Sequence, residues 1–245
     1  MARVLAVTLV LVCWFAFCVL TVSADDSLYG PLSSTGPASN SSPSYLGATG
    51  LLITPTAMIA APLKASGYWH QVRSDPAQTF YGATIGLPGG FEISGVRLTA
   101  IEPLPNETDA TRDETVVNAK YQIPMGKLLL DPLLPKVAVG VFDASNQVNR
   151  TYYVTVSRAL SLTQTSNAAL NLHAGWGHSN VDDTRLDGFF GGLDFSPFSA
   201  ALLQVEYDAK DINANLRYYP APWLSLDAGV LANDFAFGAT LRSDW

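Results

Sequence analysis

Chemistry in this chain would have to be built from a small polar constellation toward its C-terminal end. Glu206 and Asp208 share one face of an extended stretch, and Asn213, Asn215 and Arg217 share one face of the next, with Ala209-Lys210 as the tight turn between them. In that antiparallel register Tyr207 and Ile212 both point to the opposite face. Arg217, Asp227 and Arg242 fall on the same side of three consecutive stretches, and Lys120 and His173 take the polar face of two earlier ones. A ladder of carboxylate, amide and guanidinium groups can bind sugar hydroxyls or set ion selectivity. It can equally be a salt-bridge network that fills a small barrel, because charges in low dielectric need partners.

Catalytic readings are weaker. Two carboxylates at i and i+2 on one strand lie about 6.5–7 Å apart, inside the window for glycoside cleavage. Every such acidic pair meets that test, so Glu206 and Asp208 do not single out a glycosidase. His173 stands alone on its face, His70 and His178 are far away in sequence, and no serine stands out as a hydrolase nucleophile. No His/Cys/Asp group has metal-ligand spacing. Gly188-Phe189-Phe190-Gly191-Gly192 lies within a strand pattern with no helix after it, so it is not a phosphate loop. Small residues there relieve crowding or permit bending. The expectation is a protein with no catalytic residue, no cofactor and no metal.

These side chains need elements to position them, and the composition limits which. Charged residues make up 14% of the chain, against roughly 25% in soluble globular proteins. Beyond residue 20 no apolar run approaches the ~18–20 residues of a membrane-spanning helix. Lys+Arg 14 against Asp+Glu 21 excludes a nucleic-acid binder held by phosphate contacts. Residues 1–24 read as a secretory signal: Arg3 in the n-region, an uncharged apolar run from Val4 to Leu20, and Val22-Ser23-Ala24 as small residues before Asp25-Asp26. Cleavage there removes both cysteines, Cys13 and Cys18, and leaves a chain one unit more negative than the −7 of the whole. A disulfide scaffold and thiol chemistry are therefore excluded. Residues 25–46, rich in Ser, Pro, Gly and Asn, read as a flexible leader. Three glycosylation sequons, at Asn40, Asn106 and Asn149, are close to chance in such a composition.

From Gly67 onward the hydrophobic period is two. Ile212, Ala214, Leu216 and Tyr218 alternate with Asn213, Asn215, Arg217 and Tyr219; Val117, Ala119, Tyr121 and Ile123 alternate with Asn118, Lys120 and Gln122. About twelve such stretches occur, at 67–73, 79–87, 90–100, 115–123, 136–143, 151–158, 168–176, 187–195, 198–207, 211–219, 223–231 and 234–242. Turn formers separate them, among them Pro88-Gly89-Gly90, Ser196-Pro197 and Pro220-Ala221-Pro222. Gly95 could mark a bulge, and only 125–135 could form a short helical turn.

The pattern predicts an all-β, antiparallel up-and-down transmembrane β-barrel of about twelve strands spanning 47–245. One face of each stretch is mildly polar, while the other carries large aromatics and aliphatics. That suits lipid outside and a narrow polar lumen inside better than the charged outer face of a soluble sandwich. Counting strands from a periplasmic start, the acidic loops 101–114 and 177–186 both fall outside and the tight Pro-containing turns fall inside. Trp245 provides an aromatic end, as in many outer-membrane barrels.

Motifs add a resemblance. Gly47-Ala48-Thr49-Gly50-Leu51-Leu52-Ile53-Thr54-Pro55-Thr56-Ala57 resembles the opening motif of the YjbH family of outer-membrane β-barrel proteins, which are linked to bacterial exopolysaccharide. Gly86-Leu87-Pro88-Gly89-Gly90-Phe91-Glu92, Ala119-Lys120-Tyr121-Gln122-Ile123-Pro124, the proline-led stretch 135–143, and Glu206-Tyr207-Asp208 with 213–218 are similar to its later motifs, in the same order. Larger members of that family carry much more chain. The resemblance implies a bacterial outer-membrane location, partners among membrane lipid, polysaccharide and polysaccharide-export proteins, and no catalytic residues. The leader and 47–66 could lie in the lumen as a plug. A structural or porin-like barrel without a polysaccharide role, and a soluble exported glycan-binding β-domain, remain as alternatives.

Overall fold

A computed structural model describes residues 42–101, 111–124, 135–161, 169–181, 184–198 and 200–243. Twelve strands follow one another: β1 (Ala65–Val72), β2 (Gln78–Leu87), β3 (Phe91–Ile101), β4 (Arg112–Ile123), β5 (Lys136–Phe142), β6 (Thr151–Ser161), β7 (Ala169–Ser179), β8 (Gly188–Phe198), β9 (Ala201–Tyr207), β10 (Ile212–Ala221), β11 (Leu224–Leu231) and β12 (Asp234–Arg242). Each strand pairs antiparallel with its sequence neighbours, and β1 pairs with β12, so the sheet closes into an all-β barrel. Closure leaves no unpaired edge.

Each stretch of period-two alternation corresponds to one strand, with its apolar set outward. Trp69, Tyr81, Ile93, Val117, Val139, Val154, Trp176, Leu193, Val205, Leu216 and Leu226 are all exposed. Among the described outward strand positions, charge is confined to the ends. Arg97 and Asp113 form an exposed pair at 3.4 Å near one rim, where His178 also lies, and Arg158 sits near the other. The result is an apolar belt around the middle of the barrel.

Proline set two of the turns differently from the expectation. The turn expected at Ser196-Pro197 is shifted: β8 runs on to Phe198, with an irregularity between Phe195 and Phe198. Pro220 likewise sits in an irregular stretch of β10, between Tyr218 and Ala221. A residue without an N–H fits where the ladder is already broken. Gly95 marks no bulge; it pairs regularly with Ala83 and Val117, and the irregularity in β3 lies between Leu98 and Ile101. The short helix at 125–135 falls, all but its last residue, outside the described residues, as do Trp245, residues 1–41 and most of loop 101–114.

Inside, the barrel is filled in two layers. The rim where β1 begins and β12 ends is termed the terminal rim, and the opposite one the loop rim. Val72, Phe80, Leu98, Val116, Phe142, Phe190 and Leu231 are buried near the loop-rim ends of their strands and belong to one apolar cluster. Toward the terminal rim the inward positions turn polar: Thr84, Glu92, Ser94, Asn118, Lys120, Ser157, Arg217, Asp227 and Thr240. Residues 42–60 run through this polar layer. All are buried except Met58 and Ile59, which are half-buried. Tyr45, Leu46, Leu52 and Ile53 of this segment join the apolar cluster. The last five residues of the stretch read as a flexible leader, 42–46, are therefore packed inside the barrel.

Candidate functional site

The inserted segment has little regular structure of its own, only isolated bridges at Pro43–Thr49 and Gly50–Pro55. Part of its buried backbone bonds within the segment, and the rest must find partners on the barrel wall. Two carboxylates accept most of the N–H groups turned to the wall. Glu206, at the end of β9, accepts from the backbone N–H groups of Leu52 (3.1 Å), Ile53 (2.9 Å) and Thr54 (3.1 Å), and from the Thr54 hydroxyl (2.9 Å). Three consecutive N–H groups turned onto one carboxylate form a compact anion nest. Glu92, the second residue of β3, accepts from Thr49 N (2.8 Å), from the Thr49 hydroxyl and from Ala60 N (2.7 Å).

Lys120 faces Glu92 across the β3–β4 ladder, 3.2 Å away. Its ammonium also donates to Thr49 O (2.8 Å) and Thr56 O (3.3 Å), so one cation ties the wall to both arms of the segment. Asn118 Nδ2 donates to Leu46 O, the Thr84 hydroxyl to Gly47 O, and Gln122 Nε2 to Ala57 O. Gly192 makes room: a Cβ there would stand 2.6 Å from Leu51 Cδ1 and 2.4 Å from Val205 O.

All nine polar residues singled out from the sequence are buried on the inner face. The expected register holds, with Tyr207 opposite Ile212 on the outside and Glu206 opposite Asn213 on the inside. Asn213 Nδ2 donates to Glu206 (3.1 Å) and to Asp208 (3.0 Å). Asp208 lies just past β9, in the turn, where it accepts from Lys210 N, Asp211 N and Arg185 Nη1. Both carboxylates of this pair are engaged by donors of the protein itself.

Arg217 and Asp227 are direct cross-strand partners, with Nε 2.6 Å from Oδ1. Asn215 bridges Asp227 and Gln204, and Arg217 Nη2 reaches Pro43 O at 3.5 Å. His70, read from sequence as remote, is brought to 3.6 Å from Asp227 and stacks on Tyr45 at 4.1 Å. Burial, with the Asp227 carboxylate nearby, pushes the Tyr45 phenol above its ordinary range, so that it stays neutral. Arg242 lies over the Tyr219 ring and donates to Pro222 O.

His173 is not alone. Ser157 Oγ lies 2.8 Å from its Nδ1 and Asp194 Oδ2 lies 3.0 Å from its Nε2. Glu92, Ser157 and Asp194 were missed in the sequence as site residues. Glu92 and Lys120 carried a legible signal, an acid and a base at the polar phase of neighbouring strands. Among the described residues no group of three or more His, Cys, Asp or Glu side chains could hold a metal ion.

No family model and no curated protein matches the chain. Among solved structures, a KdgM porin in complex with disordered oligogalacturonate is similar at 14% identity and a TM-score of 0.47, over 74% of this chain and 99% of that one. A second KdgM porin structure is similar at 12% identity and the same TM-score, over the same shares.

Proposed function

We propose that this chain is a filled β-barrel of the bacterial outer membrane, exported by cleavage near Ala24, that serves exopolysaccharide export or surface assembly as a non-enzymatic scaffold. The observation that carries the reading is the pairing of an apolar outer belt with an interior occupied by the chain's own residues 42–60. A soluble glycan-binding domain would leave Trp69, Trp176, Leu216 and Leu226 against water, which the large continuous belt makes costly. A freely conducting porin-like barrel needs a wet lumen, whereas this one is packed at one rim and plugged at the other.

The polysaccharide link rests on the resemblance of 47–57 to the opening motif of the YjbH family. Those residues now have a physical role, as the stretch whose N–H groups are held by Glu206 and Glu92. The expected partners are outer-membrane lipid, the polysaccharide and the proteins that export it.

Extraction tests the barrel: the full chain should require detergent and show heat-modifiable gel mobility, and recovery in the aqueous fraction would refute the reading. In planar bilayers the wild-type barrel should be silent; steady conductance would favour the porin-like alternative. Deleting the gene should lower surface polysaccharide, and unchanged polysaccharide would remove the export role while leaving the barrel.

A further inference from the structure

Ser157, His173 and Asp194 stand on three consecutive strands, β6, β7 and β8. Ser157 is the cross-strand partner of His173, and Asp194 is the partner of Asn171, two residues along β7. A carboxylate can only accept, so His173 Nε2 carries the ring proton and donates to Asp194. Nδ1 is then the acceptor, and the Ser157 hydroxyl donates to it. Asn171 Nδ2 donates to the other oxygen of Asp194 and fixes its plane. Every donor and acceptor in the row thus points one way, from hydroxyl to imidazole to carboxylate.

A further group faces the serine. Ala57 of the inserted segment donates its backbone N–H to Ser157 Oγ at 2.8 Å. That contact caps the serine oxygen in the resting form, and it has to open before the oxygen can attack. In the scaffold the Ala57 contact helps hold the inserted segment; the inference below goes beyond that role, departs from its non-enzymatic reading and is tested separately.

We propose that Ser157 is a nucleophile for carboxylic esters, with His173 as its general base and Asp194 as the residue that orients the imidazole. Ser157 Oγ forms a bond to the acyl carbon while its proton passes to His173 Nδ1. The carbon–oxygen bond to the alcohol breaks, and the leaving alkoxide takes that proton. Water then attacks the acyl-serine, giving its proton to the same nitrogen, which returns it to Ser157 Oγ as the carboxylic acid departs. The ring presents Nδ1 rather than Nε2 to the serine. The proton path is unaffected, because either nitrogen of a neutral imidazole accepts when the other donates.

All three side chains are buried. What lies over them is residues 55–57, since Thr155 donates to Pro55 O and Ala57 donates to Ser157. Ser157 is opposite Lys136, the first residue of β5, so the hydroxyl lies close to the terminal rim. The resting form is therefore a covered one, and an ester reaches the serine from that rim as 55–60 moves aside. The ester could belong to an acylated saccharide or to a glycerolipid.

The test uses the full chain folded in detergent micelles and a fluorophosphonate probe. The expected result is an adduct on the tryptic peptide 151–158, abolished in Ser157→Ala and slowed about a hundredfold or more in His173→Gln. Glu92→Gln, which loosens the hold on Thr49 and Ala60, should speed labelling. Of two substrates, an O-acetylated xylo-oligosaccharide and a dioctanoyl glycerophospholipid, the one cleaved by wild type and spared by Ser157→Ala names the source. The proposal is overturned if the heat-shifted, folded barrel gives no Ser157 adduct in either wild type or Glu92→Gln. It is overturned equally if labelling is as fast in His173→Gln as in wild type, or if neither ester is cleaved. The adduct is read on the wild-type chain, so a variant that fails to fold does not spare the proposal. None of these results alters the extraction and conductance tests of the scaffold.

Discussion

Removing the carboxylate of Glu206 tests how the lumen is held. In Glu206→Ala the N–H groups of Leu52, Ile53 and Thr54 lose their acceptor together, as do the Thr54 hydroxyl and Asn213. A buried donor left without a partner costs about 1–3 kcal/mol, so three backbone donors set a ceiling of about 3–9 kcal/mol. Water entering the space of the deleted side chain recovers part of this, which places the loss in the lower part of that range. The expected loss is therefore about 3–5 kcal/mol in urea unfolding from lipid vesicles. Glu206→Gln keeps one acceptor oxygen and should lose less. Hydrogen exchange gives the site-specific readout, with amide protection at residues 52–54 falling while that of β1 to β12 persists. Unchanged protection at 52–54, or a loss below about 1 kcal/mol, would refute the assignment of Glu206 as the clasp.

Lys120→Met should cost about 3–5 kcal/mol because it leaves Glu92 charged and buried without its cation. Adding Glu92→Gln should cost less than the sum, with a coupling of about 0.5–3 kcal/mol in the double-mutant cycle. Gly238→Ala should destabilise by about 1–3 kcal/mol or more through overpacking, since its Cβ would meet His70 Cδ2 at 2.1 Å and Trp69 O at 2.5 Å; His70→Ala in the same chain should return part of that. Leu216→Arg, at the middle of the outer belt, should cost about 2–4 kcal/mol in vesicles, and Leu87→Arg, at the terminal rim, about 0–1 kcal/mol. Equal costs at the two positions would argue against a membrane around the belt.

Strands and register were legible because a period of two leaves little freedom. Once Ile212, Leu216 and Tyr218 must share a face, Asn213, Asn215 and Arg217 share the other, and the two-residue turn sets Glu206 against Asn213. That Arg217 and Asp227 share the inner side was legible in the same way, but their direct pairing was not: a turn at 220–222 would set Arg217 against Ser225, and the irregularity between Tyr218 and Ala221 brings it to Asp227. Ser157 opposite His173 was not legible, because the residues joining β6 to β7 carry no turn signature that sets the register between them. Ser157 also looks like any other small polar residue on an inward phase. The inserted segment was harder still. Ser42 to Ala60 has no hydrophobic period, and Gly, Pro and Thr within it read as loop. A signal existed in the balance of the wall itself: Glu206 faces inward with only amides beside it on β10, so its partner had to come from elsewhere in the chain. The two proline turns moved because ladder irregularities, which no pattern announces, decide where a strand ends.

The origin of the clasping groups also says something about the order of assembly. Residues 49–60 are made early, yet the carboxylate that receives 52–54 comes more than 150 positions later, with |i−j| of 154 for Leu52 and 152 for Thr54. Nor can β1 close onto β12 until the last strand exists. Contacts so remote in sequence bring no gain until almost the whole chain is in place, which makes folding slow. Thr49 and Ala60 can meet Glu92 once the first strands exist, but Leu52, Ile53 and Thr54 must travel without their acceptor until the wall has been drawn around them. Under the proposed outer-membrane location, holding those residues until closure is a task for whatever escorts the chain there.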